Sequence, residues 1–142
     1  MLAEVITVGD EVLLGEVRNS NAAFLGEQLS EMGIEVQFHT AVGDELRRLR
    51  EVIETAKQRS QLIVITGGLG PTEDDMTRDA IAEAFSVPLI EHAQAKAWLE
   101  DWLRQRQRDN PITLEGQYRQ IMLPEGAFAL ENTVGSAPGF AL

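Results

Sequence analysis

The segment Leu62-Ile63-Val64-Ile65-Thr66 constrains this chain more than any other. It is apolar throughout and too short for a helix. A strand of that kind is buried on both faces, as in the centre of a parallel sheet. Parallel neighbours cannot be joined by a tight turn; each needs a crossover, usually a helix. The remaining sequence must therefore alternate strands with helices, and it does. Residues 3–8 (AEVITV) are rich in β-branched side chains and end at Gly9. Between Ser20 and Met32, the residues Ala22, Leu25, Leu29 and Met32 form a helical stripe, with Asn19 or Ser20 to cap it and Gly33 to stop it. Residues 35–41 alternate, which predicts a second strand with Val36, Phe38 and Thr40 on one face.

Asp44 is placed to cap the next helix, in which Leu46, Leu49, Ile53 and Ala56 share a face. Gly67-Gly68-Leu69-Gly70-Pro71 breaks the apolar strand. A helix over 77–85, a short strand at 88–90 and a longer helix over 93–108 follow. Trp98 and Trp102 lie four apart on that longer helix, a spacing suited to core or subunit packing. Asn110-Pro111 ends it, Thr113 caps a last short helix to about Met122, and 128–130 and 140–142 read as strands. The order implies an α/β fold with a parallel or mixed sheet covered on both faces. Residues 1–142 are expected to form one domain, and the final run reads as a strand just begun, so the natural domain is expected to continue past Leu142.

Charge narrows the function. Asp plus Glu number 23 against 12 for Lys plus Arg, a net charge of −11. Such a field repels nucleic acid and anionic membranes, so neither is expected as a partner. It also repels a phosphorylated substrate unless a divalent cation or a helix N-terminus offsets it. The chain has no cysteine, which excludes disulfides, thiolate zinc sites and a Cys nucleophile. Its two histidines, His39 and His92, exclude a His-rich metal cage, and neither has a partner at ligand spacing. No apolar run approaches membrane-spanning length and no basic leader precedes a short apolar stretch, so a cytoplasmic protein is expected.

Three loops follow strands: 9–19, 41–45 and 66–75. Open α/β sheets bind ligands at the carboxyl ends of their strands. Each loop joins glycine to carboxylate: Gly9-Asp10-Glu11, Gly43-Asp44-Glu45, and Gly67-Gly68-Leu69-Gly70 followed by Glu73-Asp74-Asp75. In the third, three glycines in four positions leave the backbone bare, so its N–H groups can meet an anion. It is neither a Walker A loop nor a dinucleotide fingerprint, and close packing of strand and helix would also explain it. Glu73, Asp74 and Asp75 would suit a helix start, yet three acids beside a glycine cradle exceed what capping needs. Hard carboxylate oxygens suit Mg²⁺, which often holds one or two of them plus substrate phosphates.

In order, Gly9-Asp10-Glu11-Val12-Leu13-Leu14-Gly15 with Asn21, Val42-Gly43-Asp44, Thr66-Gly67-Gly68-Leu69-Gly70-Pro71-Thr72-Glu73-Asp74-Asp75-Met76-Thr77 and Gly135-Ser136-Ala137-Pro138-Gly139-Phe140 span nearly the whole chain. Together they resemble the N-terminal domain of the competence/damage-inducible protein family CinA, within the MoaB/MogA-like molybdopterin-binding superfamily. The resemblance implies a three-layer α/β/α sandwich with a mostly parallel, mixed sheet. It implies a metal-dependent nucleotide pyrophosphatase, a hydrolase acting on ADP-ribose or a similar diphosphate; the alternative is a molybdopterin- or nucleotide-binding module without turnover. In adenylyltransferase members two aspartates serve metal and catalysis, and they match Asp44 and Asp75. Candidate catalytic residues are thus Asp75, Asp44 and Asp10. Metal candidates are Asp75, Asp74, Asp44 and Glu11, for Mg²⁺, Mn²⁺ or Co²⁺. Ligand candidates are Gly67, Gly68, Leu69, Gly70, Thr72, Asn21 and Ser136, and a dimer or trimer is expected. Departures are Asn19, where the family usually has Asp, and Ile121 in Arg119-Gln120-Ile121, where it usually has Ala.

Overall fold

Residues 2–8 carry apolar side chains on both faces of a strand, and the first half of the molecule is built on it. The computed structural model describes residues 1–106 and 114–142. The expected helix end at Asn110-Pro111, the cap at Thr113 and the last residues of the 93–108 helix lie outside the described residues. The chain divides into two compact units, Met1–Gly68 and Leu69–Leu142.

In the first unit, β1 (Leu2–Val8) pairs in parallel with β2 (Glu35–Val42) on one edge and with β3 (Leu62–Thr66) on the other. The order is β2-β1-β3. Every residue of β1 from Ala3 to Val8 is buried, whereas all five of β3 are half-buried. The apolar LIVIT run is therefore at an edge of this sheet, not at its centre as its composition predicts. An apolar run reports burial without saying which neighbour provides it. The central strand instead hides two polar residues, Glu4 and Thr7, and each is hydrogen-bonded. Thr7 Oγ1 donates to Asn19 Oδ1 at 3.1 Å. Glu4 accepts from Arg59 Nε at 2.9 Å, Arg59 Nη2 at 2.7 Å and Thr40 Oγ1 at 2.7 Å.

The β1–β2 register shifts by one residue between Ala3 and Glu4: Ala3 pairs with Val36 but Glu4 with Phe38. A bulge inverts the alternation on one strand. Val36 therefore packs with Ala3, Val5, Leu62 and Val64 against α2 (Ser20–Glu31), through Ala22, Leu25 and Leu29. Phe38 and Thr40 pair with Glu4 and Ile6 and face the other way, so the expectation of one shared face fails at Val36. That other face is covered by α3 (Leu46–Arg59), whose Leu49, Ile53 and Ala56 are wholly buried. Each large apolar side chain buried in this way contributes about 1.5–3 kcal/mol.

Asn19 caps α2 as expected, accepting from Ala22 N at 3.1 Å, and Gly33 closes it at φ 74°. Met32, expected in the apolar stripe, is 66% exposed. A one-turn helix, α1 (Asp10–Leu13), follows β1 and has no apolar stripe to announce it.

The second unit contains α4 (Thr77–Phe85), β4 (Leu89–Glu91), α5 (Ala93–Arg106), α6 (Leu114–Gln117), a 3₁₀ turn (Tyr118–Ile121), β5 (Met122–Pro124), β6 (Phe128–Leu130) and β7 (Gly139–Ala141). β4 pairs with β5 and β6 with β7, both antiparallel. Their three-residue length is too short for alternation to show, and nothing in the sequence pattern announces β5. Ala95, Leu99, Leu103, Ile121 and Leu123 form one core cluster of this unit, with Trp102, Ala129 and Phe140 packed against it.

Burial alone would raise the Glu4 carboxyl, but the Arg59 and Thr40 hydrogen bonds and the Arg59 charge outweigh it and hold it below its ordinary value of 4.5. A depressed carboxylate stabilises the fold fully above its unfolded pKa, and that contribution is lost as pH falls through the folded value. Glu4→Gln should therefore destabilise the protein at neutral pH by about 1–3 kcal/mol and flatten the acid side of the stability profile below that ordinary value. Urea unfolding of both proteins across the acid range measures this; parallel profiles would remove Glu4 from acid stability.

Candidate active site at the carboxyl ends of the strands

Three parallel strands leave the first unit's sheet in one direction, so their loops lie side by side. Gly9 N donates to Val42 O at 3.0 Å, tying the β1 exit to the end of β2. From there two aspartates lock the adjacent loops reciprocally. Asp44 N donates to Asp10 Oδ1 at 3.1 Å, and Asp10 N donates to Asp44 Oδ2 at 3.2 Å. The lock explains why Asp44 departs from its expected role as helix cap. The cap position of α3 is Glu45, whose side chain makes no capping bond, while the Asp44 carboxylate is engaged with the Asp10 amide. A Cβ on Gly43 would meet Asp10 Oδ1, and one on Gly9 would lie 2.7 Å from Glu11 Oε1, so both glycines make room for carboxylates. Asp10 and Glu11 are exposed and Asp44 is half-buried.

On the other side of β1, the exit of β3 turns at Gly67 and Gly68, with φ of 96° and 67°. A Cβ at Gly67 would run into the Val8 carbonyl oxygen. Gly67 is thus required by packing within the sheet, whatever it does toward a ligand. In the second unit the chain continues through Leu69, Gly70 and Thr72 to Asp75. Asp75 Oδ2 accepts from Thr72 N at 2.9 Å and Thr72 Oγ1 at 2.6 Å. Burial would raise the Asp75 carboxyl, but the bonds from Thr72 and the Gly70 amide, with the Arg78 charge, hold it below its ordinary value. Asp74 is exposed.

Arg78, on the first turn of α4, donates to Leu69 O at 2.5 Å and Gly70 O at 2.6 Å. Arg119 donates to Thr72 O at 2.8 Å and to Asp79 Oδ2 at 2.9 Å. Sequence reasoning named Arg119 only within the Arg119-Gln120-Ile121 segment, with no role, and overlooked Arg78, although one signal was present: the helix dipole disfavours a cation in the first turn, so Arg78 needed a local reason. Asn132 was also overlooked. It accepts from Val134 N at 3.0 Å and Gly135 N at 2.9 Å and donates to Ala137 O at 2.9 Å, shaping the turn that carries half-buried Ser136. Asn21 is exposed near the start of α2. Asn19, where the resemblance expects Asp, is occupied in capping α2 and bonding Thr7.

Known proteins place this architecture. Residues 4–142 match the model of the family described as "Probable molybdopterin binding domain". The MoaB molybdopterin biosynthesis enzyme of Thermus thermophilus superposes with a TM-score of 0.57 at 21% identity, over 90% of this chain and 72% of that one, which shows a shared MoaB-like fold. The crystal structure of CinA from Thermoplasma acidophilum superposes with a TM-score of 0.87 at 34% identity, over 98% of this chain and 79% of that one. A CinA-like protein of Acaryochloris marina is 48% identical over 137 residues, 96% of this chain and 32% of the relative. The chain belongs to the molybdopterin-binding domain family, in its CinA-like branch. It spans about a third of the length of the curated relatives it matches. No helix among the described residues is long and apolar enough to cross a membrane.

Gly67 and Gly126 both have positive φ, 96° and 88°, but nothing lies within 4 Å of a Cβ at Gly126. Gly126→Ala should therefore cost about 1 kcal/mol from backbone strain alone. Gly67→Ala adds a clash with Val8 O and should cost at least about 2 kcal/mol. Unfolding midpoints of the pair decide it; equal losses would refute the close approach.

Proposed function

We propose that this chain binds a nucleotide diphosphate of the ADP-ribose type and hydrolyses its diphosphate bond. The observation that carries the reading is the Asp10–Asp44 lock at the ends of two adjacent parallel strands, with the bare Gly67-Gly68 turn leaving the third. This is where open α/β sheets present ligand-binding loops. Within the first unit the Gly67-Gly68 backbone is assigned to the diphosphate, and Asp10 and Asp44 to the polar edge beside it.

The donor chemistry fits a hard divalent cation, since Asp10, Glu11 and Asp44 offer only carboxylate oxygen. Among the described residues no group of three or more His, Asp or Glu side chains could hold an ion unaided. The fit is therefore to an ion that takes one or two carboxylates and completes its shell with water and phosphate, as Mg²⁺ and Mn²⁺ do. When bound, such an ion offsets the diphosphate's charge and acidifies water. The chain's own residues have separate tasks. Asp44 and Asp10 fix each other's loops, so the carboxylates meet ligand and water in one geometry. In the second unit Asp75 holds Thr72 and Gly70 in place, leaving Thr72 as a candidate ligand contact with Leu69 and Gly70. Attack of water on one phosphorus and cleavage of the bridging P–O bond yield AMP and ribose 5-phosphate, with the water's atoms shared between them.

A second reading is binding of a molybdopterin-type phosphate without turnover. Asn19 favours it, because a neutral side chain occupied in capping α2 and bonding Thr7 stands where the family usually has a carboxylate.

ADP-ribose hydrolysis should require added Mg²⁺, Mn²⁺ or Co²⁺ and stop with chelator. Asp44→Asn should lower the rate by about 10²-fold, the scale of losing one electrostatic stabiliser, while the unfolding midpoint moves little. AMP formation followed by chromatography, with calorimetry for affinity, separates the readings. Tight binding without AMP supports the second; equal affinity for ADP-ribose with and without chelator removes the ion.

A further inference from the structure

Arg78 is 1% exposed, a guanidinium buried at the start of a helix whose dipole opposes it. Burial and the nearby Arg119 charge push it below its ordinary pKa, with Asp79 and Asp75 opposing. Burying an arginine is costly unless its donors are used, and an apolar side chain would fill the space at less cost. Its Nη1 and Nη2 donors both go to main-chain carbonyls, Leu69 O and Gly70 O. Arg119, 38% exposed in its side chain, takes a third, Thr72 O, and is itself steadied by Asp79. Three of the four carbonyls from Leu69 to Thr72 are thus turned toward two guanidinium groups. The exception is Pro71.

The planar trans peptide sets each N–H opposite the preceding carbonyl. Turning the Thr72 carbonyl inward therefore turns the Glu73 N–H the other way, while the Gly70 N–H, opposite Leu69 O, is taken by the Asp75 carboxylate. A glycine loop that exposes carbonyl oxygens repels phosphate; one that withdraws them leaves an N–H-bearing face for an anion. We propose that Arg78 and Arg119 are positioning residues that withdraw the carbonyls of Leu69, Gly70 and Thr72 from the ligand face of the glycine loop, which makes it passable to a phosphorylated anion. The inference rests on the reading that this loop meets a diphosphate, and it adds what admits the anion in a chain of −11.

The test uses the intact chain, Arg119→Gln, Arg119→Lys and Arg78→Lys, with inorganic pyrophosphate plus Mg²⁺ and adenosine as probes. Arg119 is partly exposed, so its variants remain folded even where Arg78→Lys does not. Amide hydrogen exchange of residues 70–75 reads the loop without any ligand. In Arg119→Gln the exchange should accelerate, and pyrophosphate affinity should fall about tenfold, the loss of one charge-assisted hydrogen bond. Adenosine affinity, measured below the unfolding midpoint, should stay the same within error. Arg119→Lys, which retains one donor for Thr72 O, should recover part of both losses. A merely structural role would weaken both probes together or neither. Unchanged exchange, or faster exchange with unchanged pyrophosphate affinity, overturns the inference. Failure of the unaltered chain to bind pyrophosphate overturns the underlying diphosphate reading instead, and would be seen before any variant is compared.

Discussion

Strand β1 is hydrogen-bonded along both edges, and the carboxyl edge of the first unit depends on that double pairing. With β2 and β3 both parallel to β1, three chain segments leave the sheet in the same direction. Their glycine loops become neighbours although they are distant in sequence. The centre of a sheet is a poor place for a carboxylate, yet Glu4 sits there wholly buried. It is tolerated because a two-point bond from Arg59 and a hydroxyl from Thr40 satisfy its oxygens. Arg59 also lies 3.8 Å from the Phe38 ring centroid, so one side chain at the end of α3 ties helix, central strand and edge strand together.

The carboxylates of the candidate site are also the ones that shape its loops. Asp44 and Asp10 hold each other's amides, and Asp75 holds Thr72. Such double employment fixes the direction of each carboxylate before any ligand arrives, which is what electrostatic preorganisation requires. It also means that removing one of them disturbs a loop as well as a charge. Asparagine is therefore the informative replacement, since it keeps an acceptor for the backbone amide and removes only the charge. Arg78 and Arg119 complete the pattern in the second unit by holding carbonyls rather than amides.

The helices were legible where an apolar stripe ran for two turns or more. The 77–85 helix has the bounds its pattern predicts, and Asn19 and Gly33 bracket α2 as their chemistry suggests. Among the shortest elements α1, with no stripe, and β5, with no alternation, were not legible, whereas β4, β6 and β7 lie within a residue of the expected 88–90, 128–130 and 140–142. The bulge beside Gln37 was also invisible, because alternation predicts faces only while the register is unbroken. At the candidate site, glycine next to carboxylate marked loops that follow the three parallel strands. What Asp10 and Asp44 bond to depended on a second loop brought beside each by strand pairing, which no spacing within one loop encodes, whereas Asp75 bonds Thr72 within its own loop.

Composition and patterning by themselves determined the alternation of strand and helix, the parallel sheet, the three glycine–carboxylate loops and an acidic field that a phosphorylated ligand must overcome. These follow from local propensity and periodicity, which act over a few residues. Tertiary structure decided which strand is central, which face each β2 residue takes, that Asp44 braces Asp10 instead of capping α3, and that two arginines hold the loop carbonyls. Each of these is a contact between residues apart in sequence. Its energy exists only once folding has brought the partners within hydrogen-bond reach.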